Sequence, residues 1–408
     1  MLVKNRTLRI SEFIALFSLM ATMYAFPDKG SFTYVGRIIF LLFGMMFILQ
    51  QKRYVYKGTE KTAFLWIVLF SIVCFLNVIF SSNQTASVNT FIIVLQSLVI
   101  SFILVIWCDS EDKLQAAFKI LAICSLIFCI RVVLHIDLAR FGTRKIGYIM
   151  GLNANTIGLR CALCFLICLF LVTTSKGLFN KTFYSLVLIV NFAIIMATGS
   201  RRALIIIILC SFIYLYKKTQ GSVAVIKVFL FSISSIVIVY LLMTKIEALN
   251  NIIGHRLETF ISALFTSDES ALGAHRDQMI SCALELFTQS PVLGWGMGTF
   301  RYVSGIDNIY AHNNYVELLF ATGICGFLTF YYIYIYIIRR LDVFGKRCNP
   351  VQALMIAYVA ALLISDIASP SYSSLYIYIF ISFMLIFINM NGKQSFWENE
   401  DSIREEKT

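Results

Sequence analysis

The sequence predicts an all-α polytopic membrane protein with about 12 transmembrane helices and one large outer loop that contains an amphipathic helix. Three observations predict this fold. Of the 408 residues, 59% are hydrophobic and 14% are charged, whereas about a quarter of the residues in a soluble domain are charged. The mean hydropathy is +0.81. The apolar residues are grouped in long windows, which excludes a cytosolic enzyme, a disordered chain and a secreted disulfide scaffold.

The apolar residues form about twelve windows, and a helix of about 20 apolar residues crosses the hydrocarbon core of a bilayer. Backbone amides in lipid must be hydrogen-bonded within their own segment, so these windows predict helices. The windows are 10–26, 32–50, 63–80, 90–108, 114–134, 152–174, 182–198, 202–216, 222–243, 313–338, 352–368 and 373–391.

The windows divide the chain into four regions. Residues 1–243 hold the first nine helices, 244–312 the large outer loop, 313–391 the last three helices, and 392–408 a cytoplasmic tail. With the N-terminus in the cytoplasm, inner segments carry nineteen Lys and Arg residues and outer segments carry ten. This bias places both termini in the cytoplasm. The net charge of +12 reflects the same bias, and no nucleic-acid partner is expected.

The outer loop contains a stretch with helical periodicity, from Arg276 to Gln289. Polar residues of this stretch lie off the apolar stripe, and Ser290–Pro291 is expected to end the helix. Such a helix could rest on the membrane surface or cap a cavity. The stripe consists of Met279, Ile280, Ala283, Leu284, Leu286 and Phe287.

Two short motifs resemble ligand sites, but we interpret both as structural. Cys161, Cys164 and Cys168 would need a fourth ligand and tetrahedral access to hold zinc, and small residues are common at helix contacts in membranes. The run Gly294–Gly298 follows no predicted strand, so it is expected to be a turn that brings the loop back to the membrane. The sequence therefore predicts no metal site and no cofactor.

Three arginines lie within the predicted spans, all toward the outer leaflet. They are Arg37, Arg131 and Arg160, and Arg160 follows Asn153 and Asn155 by about two turns of helix. A charged side chain at this depth is costly, so it either extends to the interface or serves a function. The deeper position of Arg160 favours a functional role, whereas both interpretations stay open for Arg37 and Arg131.

Two further arginines, Arg201 and Arg202, stand on a tight outer turn and work against the charge bias. Guanidinium groups bind phosphate through paired, charge-assisted hydrogen bonds and stay charged at any relevant pH. Arginines that converge at the outer leaflet therefore predict a ligand with paired phosphates, such as a lipid pyrophosphate.

Among the four histidines, His312 is the one placed for catalysis, where the outer loop re-enters the bilayer. An imidazole titrates near neutrality and can accept a proton from a sugar hydroxyl, although an interfacial histidine can also be a plain hydrogen-bonding residue. Asn313 follows it directly. Glu317 lies one helical turn beyond Asn313, where it would be buried and either orient a partner or bond a neighbouring helix.

These residues resemble the superfamily of O-antigen ligases and Wzy-type polysaccharide polymerases. In the family pattern, a histidine and a small polar residue stand at the end of the outer loop. A glycine follows after nine residues, and a second glycine after two more. His312-Asn313 with Gly323 and Gly326 fits this pattern. This spacing is the most specific part of the resemblance.

Two other segments are similar to the same superfamily. Residues 198–204 look like its arginine-bearing turn that opens a helix, and residues 272–294 look like its arginine helix with the following Ser-Pro turn. Together with the histidine pattern they cover roughly residues 195–330, and the first five helices match only in hydropathy.

The resemblance implies a metal-independent, inverting glycosyltransferase at the periplasmic face of the bacterial inner membrane, with undecaprenyl-pyrophosphate-linked oligosaccharides as donor and acceptor. His312 would be the catalytic residue. Arg201 and Arg276 would bind the pyrophosphate, and the doubled Arg201-Arg202 leaves the choice between those two open. Arg160 is a further candidate for this role, and Asn313, Glu317 and Arg131 are candidate supporting residues. A chain-length regulator is a candidate partner.

Three functions are considered. A polymerase is favoured because 198–204 and the turn at 294–300 look more like the polymerases of the superfamily. A ligase, which transfers glycan to lipid A core, is the alternative. A transporter or flippase of lipid-linked glycan is less favoured, because transporters usually have repeat-related halves and a midplane site.

Overall fold

The computed structural model describes residues 8–26, 31–50, 58–136, 146, 147, 149–219, 226, 269–306, 310–343, 345 and 348–405. Within these residues every regular element is a helix. In chain order the helices are α1 (Ile10–Met20, continued by a π-helical turn, Ala21–Ala25), α2 (Ser31–Gln50), α3 (Thr59–Ile79), α4 (Gln84–Trp107), α5 (Glu111–Leu134), α6 (Ala154–Thr174), α7 (Leu178–Thr198), α8 (Arg201–Lys218), α9 (Glu269–Gln289), α10 (Phe300–Val303), α11 (Asn314–Arg340), α12 (Pro350–Asp366) and α13 (Leu375–Glu405).

The chain is a multi-pass membrane protein. Among the described residues, six helices are long and apolar enough to cross a bilayer, namely α3, α4, α5, α6, α7 and α11. Four shorter apolar stretches accompany them, at Ile10–Ala25, Tyr34–Gln50, Pro350–Asp366 and Leu375–Asn391. Nearly all of the predicted window 222–243 lies outside the described residues, as does the outer loop up to position 268.

Polar residues between the apolar windows fix where the helices begin. The side chains of Asn83, Ser110, Asn153 and Ser200 accept hydrogen bonds from the first-turn amides of α4, α5, α6 and α8. These amides have no partner within their own helix, so each cap removes an unsatisfied donor. Gly199, with a φ of 63°, ends α7 in the left-handed conformation and allows the sharp turn into α8.

The bundle core is built from close contacts between sequential and distant helices. Helix α6 packs against α7 and α8, α12 packs against α8, and α13 packs against α4. Cys161, Cys164 and Cys168 are fully buried in this core, where their small side chains pack between helices. In the described part of the chain no three His, Cys, Asp or Glu side chains are grouped so that they could hold a metal ion.

The starts of α6, α8 and α11 and the end of α12 meet at one end of the bundle. There Arg202 donates to the carbonyl of Asn155, and Asn314 donates to the carboxylate of Asp366. We call this the site end of the bundle, because it carries the residues singled out by the sequence.

Helix α11 is interrupted at Gly323, where φ is 62° and ψ is −168°. The carbonyls that the break leaves free are bound by the segment that follows α9. The amides of Trp295 and Gly296 donate to the carbonyls of Phe320 and Ala321, at 2.9 and 3.0 Å. In return, the amide of Ile324 donates to the carbonyl of Pro291 at 2.8 Å. The predicted turn at 294–298 therefore pairs with α11 rather than only returning the chain to the membrane.

Asn77 on α3 completes this arrangement. Its side-chain amide donates to the carbonyls of Leu293 and Ala321, both at 2.7 Å, and its side-chain oxygen accepts from the amide of Met297 at 2.9 Å. A buried polar side chain with all three bonds made is stabilising, whereas its removal would leave three backbone groups unpaired. The sequence analysis did not identify Asn77.

We expect Gly323→Ala to destabilise the protein more than Gly151→Ala. Both glycines have a positive φ, 62° and 64°, which costs a residue with a Cβ about 1–2 kcal/mol. A Cβ at Gly323 would also lie 2.2 Å from the carbonyl oxygen of Val292, whereas a Cβ at Gly151 would meet no atom within 4 Å. Thermal unfolding of both variants in one detergent measures the difference. Equal losses of Tm would contradict the proposed tight pairing.

Candidate active site

His312 lies in the short segment between α10 and α11 and has an unusual backbone conformation. Its φ is 57°, in the left-handed region that residues other than glycine seldom adopt. Its half-buried ring lies 4.5 Å from the ring of Tyr310, measured between centroids. A strained residue of this kind persists only when its surroundings hold it, and such residues are concentrated at functional sites.

Two predicted supporting residues hold this segment. The carboxylate of Glu317, only 2% exposed, accepts a hydrogen bond from the amide of Ala311 at 2.7 Å. The side-chain oxygen of Asn313 accepts from the amides of Tyr315 and Val316, at 2.9 and 3.2 Å, and so caps α11. Both residues therefore fix the backbone on either side of His312.

A second buried network joins the start of α11 to the end of α12. The side-chain amide of Asn314 donates to the carboxylate of Asp366 at 3.1 Å, and the hydroxyl of Tyr331 donates to the same carboxylate at 2.8 Å. The side-chain oxygen of Asn314 accepts from the amides of Ser371 and Tyr372. Sequence reasoning missed Asn314 and Asp366. A carboxylate inside an apolar window is the signal that could have identified Asp366.

Arg202 is bound to the turn that follows α12. Its guanidinium donates to the carbonyl of Ser365 at 3.1 Å, the hydroxyl of Ser369 at 2.5 Å and the carbonyl of Asn155 at 3.4 Å. Its Nε is buried and has no hydrogen-bond partner among the described residues. Arg201 is partly buried on the same turn of helix.

Helix α9 brings Arg276 to the same region. Met279 and Ala283 are buried in a small second core with Phe320 and Ala321 of α11, which seats α9 on the first half of that helix. Arg276 is exposed one turn before Met279. This second core also contains Phe300, Ala311 and Val316, with Ile280, Leu286, Trp295, Val303 and Ile306 packed against it.

The helical prediction for the outer loop is confirmed, with one correction to its stripe. Helix α9 ends at Gln289, directly before Ser290–Pro291 as predicted. Leu284, which the sequence analysis places on the apolar stripe, is 41% exposed. The buried stripe is narrower because only the face through Met279 and Ala283 contacts α11.

Arg160 and Arg131 bind the end of the π-helical turn. Arg160 donates to the carbonyl of Met23 at 2.8 Å, and Arg131 donates to the carbonyl of Ala25 at 2.7 Å. The guanidinium of Arg160 stacks 4.0 Å from the ring centre of Tyr376, and that ring also interacts electrostatically with Arg202.

Comparison with protein families gives a match in this part of the chain. Residues 185–331 match the family model described as O-antigen ligase. The resemblance to the O-antigen ligase and polymerase superfamily is thus confirmed over this segment, which contains Arg201, Arg202, Arg276, His312 and both glycines of the histidine pattern. A comparison with curated proteins found no match.

The structure accounts for both glycines of the histidine pattern, which lie in the matched segment. At Gly323 the backbone has a positive φ and lies against Val292. A Cβ at Gly326 would lie 2.0 Å from the hydroxyl of Thr322, so this position also excludes a larger residue unless Thr322 moves. Both glycines therefore allow the close packing at the break in α11. This break positions the start of α11 next to His312. The match to the O-antigen ligase family model supports a function of ligase or polymerase type.

Electrostatics around His312 keep its imidazole neutral. Burial and the positive charges of Arg276 and Arg202 lower the pKa of His312 from 6.5 to about 4. An imidazole with this pKa is unprotonated at neutral pH and can accept a proton. The positive charges of Arg276 and Arg202 therefore both act on His312. Burial also raises the pKa of Tyr310, although Arg202 and Arg276 oppose that shift.

We expect NMR titration of the histidine side chains in detergent to show one pKa well below 6.5, with a signal that is lost in His312→Gln. Arg276→Gln should raise this pKa toward the ordinary value, because it removes a positive charge that disfavours protonation. Arg301→Gln serves as the matched control, since Arg301 is another exposed arginine of the outer segment. A pKa that is unchanged by Arg276→Gln would contradict the proximity of Arg276 to His312.

Proposed function

We propose that the protein is a polysaccharide polymerase that joins undecaprenyl-pyrophosphate-linked oligosaccharides at the periplasmic face of the bacterial inner membrane. The supporting observation is a neutral imidazole next to two arginines, inside the segment that matches the O-antigen ligase family. The reaction would be an inverting glycosyl transfer that requires no metal and no cofactor.

In this mechanism a hydroxyl of the acceptor sugar attacks the anomeric carbon of the donor glycan. His312 accepts the proton of that hydroxyl as the new C–O bond forms. The bond between the anomeric carbon and the pyrophosphate breaks, and the lipid pyrophosphate leaves with the electron pair. General base catalysis of this kind typically contributes about a hundred- to ten-thousand-fold to the rate.

Arg202 and Arg276 would stabilise the leaving pyrophosphate. Two guanidinium groups can neutralise the negative charge that accumulates as the bond breaks, and a site partly closed to water strengthens this effect. Arg202 is preorganised, because its bonds to Ser365, Ser369 and Asn155 hold the guanidinium in place before the ligand arrives. We assign the pyrophosphate to Arg202 rather than to Arg201 on this basis.

The proposal includes the topology and the partners. About twelve helices would span the membrane, both termini would lie in the cytoplasm, and 244–312 would form the periplasmic loop. The positions of Lys and Arg along the chain support this orientation. The donor and acceptor are the main partners, and a chain-length regulator would act on the same complex.

The second candidate function is a ligase that transfers the glycan to lipid A core. It is supported by the description of the matched family as O-antigen ligase, and the site chemistry serves both reactions. The two activities use the same donor and differ in the acceptor that presents its hydroxyl to His312.

We expect His312→Gln to lower the rate of transfer in vitro by about a hundredfold or more, and Arg276→Ala by a similar factor. Arg202→Ala should be more damaging than Arg201→Ala. Extension of a synthetic lipid-linked repeat by purified protein measures each rate, with Arg301→Ala as the control. Because Arg202 also makes structural contacts, Arg202→Lys and the Tm of each variant separate catalysis from folding. Near-normal polymer from Arg276→Ala would contradict the mechanism.

A gel of surface polysaccharide from a deletion strain distinguishes the two candidate functions. Loss of a polymerase should leave single repeat units on the core, because ligation still proceeds. Loss of a ligase should leave unattached polymer on the carrier lipid. Complementation with the His312→Gln variant should fail in both cases, and complementation with Arg301→Ala should succeed.

A further inference from the structure

A second group of cations lies at the site end of the bundle, apart from His312. Arg37 is on the second turn of α2 and Arg160 is on the second turn of α6. Helix α2 contacts the π-helical turn, and Arg160 donates to Met23 within that turn. Gly36, next to Arg37, packs against Thr22, which directly precedes Met23, so Arg37 and Arg160 approach the same turn.

No described carboxylate forms an ion pair with Arg37 or Arg160, and the Nε atoms of both are buried without a hydrogen-bond partner among the described residues. Their other contacts are with aromatic rings: Arg37 lies 5.6 Å from the ring centre of Tyr34, and Arg160 lies between Tyr376 and Tyr24.

The helix dipoles do not offset this charge. The end of the π-helical turn supplies a negative partial charge of roughly half an elementary charge, through the carbonyls of Met23 and Ala25. The same region contains the guanidinium groups of Arg37 and Arg160, and the positive ends of α2 and α6. An excess of buried positive charge is costly, and it indicates that an anion binds there.

This region is separate from the site at His312. Arg160 is held by the carbonyl of Met23 and the ring of Tyr376. Arg202 is held instead by the end of α12, through Ser365 and Ser369, and by the carbonyl of Asn155. An anion bound by Arg37 and Arg160 would therefore lie at a different position. It would also lie next to lipid, because α2 is at the edge of the bundle. Val35 and Ile38, which flank Arg37 on α2, are 49% and 53% exposed.

We propose that Arg37 and Arg160 form a second anion site, which binds the phosphate or pyrophosphate of the acceptor lipid. This proposal rests on the proposed polymerase function. A transfer between two lipid-linked glycans needs two phosphate positions, since the leaving pyrophosphate of the donor occupies Arg202 and Arg276. The acceptor must then place its hydroxyl at His312 while its own lipid phosphate is bound elsewhere, at a position open to the bilayer.

Binding stoichiometry tests the second site without any catalysis. We would titrate full-length protein in detergent with citronellyl pyrophosphate, a short lipid pyrophosphate, by calorimetry. Wild type should bind two molecules, and Arg37→Gln should weaken one of them by about tenfold or more. Arg276→Gln should weaken binding of the other molecule. Arg339 is an exposed arginine at the opposite end of α11, and Arg339→Gln should leave both binding affinities unchanged.

Arg160 also holds the π-helical turn, so its variant is Arg160→Lys, which keeps the charge but not the paired hydrogen bonds. Arg160→Lys should weaken binding of the same lipid pyrophosphate molecule as Arg37→Gln does. Two full-strength binding events in both variants would overturn the proposal. Inorganic pyrophosphate should bind more weakly than the lipid form at this site. Equal affinity for the two would show a site for free phosphate and would also overturn it.

Kinetics then assign the site to the acceptor. With a donor whose terminal hydroxyl is blocked, Arg37→Gln should raise the KM for a lipid-pyrophosphate acceptor about tenfold and leave the KM for the same oligosaccharide without phosphate unchanged. Equal changes for both acceptors, or a change only for the donor, would overturn the assignment. If the wild-type protein performs no transfer, the proposed function fails while the binding measurement still tests the second anion site.

Discussion

The hydrogen bonds that close the break in α11 are the constraint on which the rest of the structure depends. A backbone break at membrane depth is tolerated only when other parts of the protein bind the freed groups. Here the amides of Trp295 and Gly296 and the side chain of Asn77 bind the carbonyls of Phe320 and Ala321. These bonds attach the segment after α9 to both α3 and α11. They thereby fix the surface on which α9 is packed, and with it the position of Arg276 relative to His312.

Hydrogen bonds from buried side chains to backbone groups hold the segments that form the site. Glu317 binds the amide of Ala311, and Asn314 binds the amides of Ser371 and Tyr372 while donating to Asp366. Asp366 directly follows Ser365, whose carbonyl accepts from Arg202. One buried network therefore links the segment of His312 to the turn that holds Arg202. Rigid elements thus set the distance between His312 and Arg202. The positive charges of Arg202 and Arg276 in turn keep the imidazole of His312 unprotonated.

Hydropathy and periodicity predicted most of the helices, because membrane crossing and a buried stripe depend on local residue type. The end of α9 before Ser290–Pro291 follows from proline geometry. The approach of Arg276 to His312 was expected only through the resemblance to a family. Asn77 and Asn314 were not predicted, since each depends on a partner that is distant in the chain. Leu284 was misplaced because periodicity does not give the width of the contact face.

The small second core has a consequence for how such proteins diversify. Helix α9, the turn after it and the first half of α11 share their own buried cluster around Met279 and Phe320, distinct from the core of the bundle. The exposed surface of this unit can accept substitutions without repacking the transmembrane helices. New glycan preferences can therefore arise on an unchanged scaffold, in the way that antibody loops vary on a constant framework.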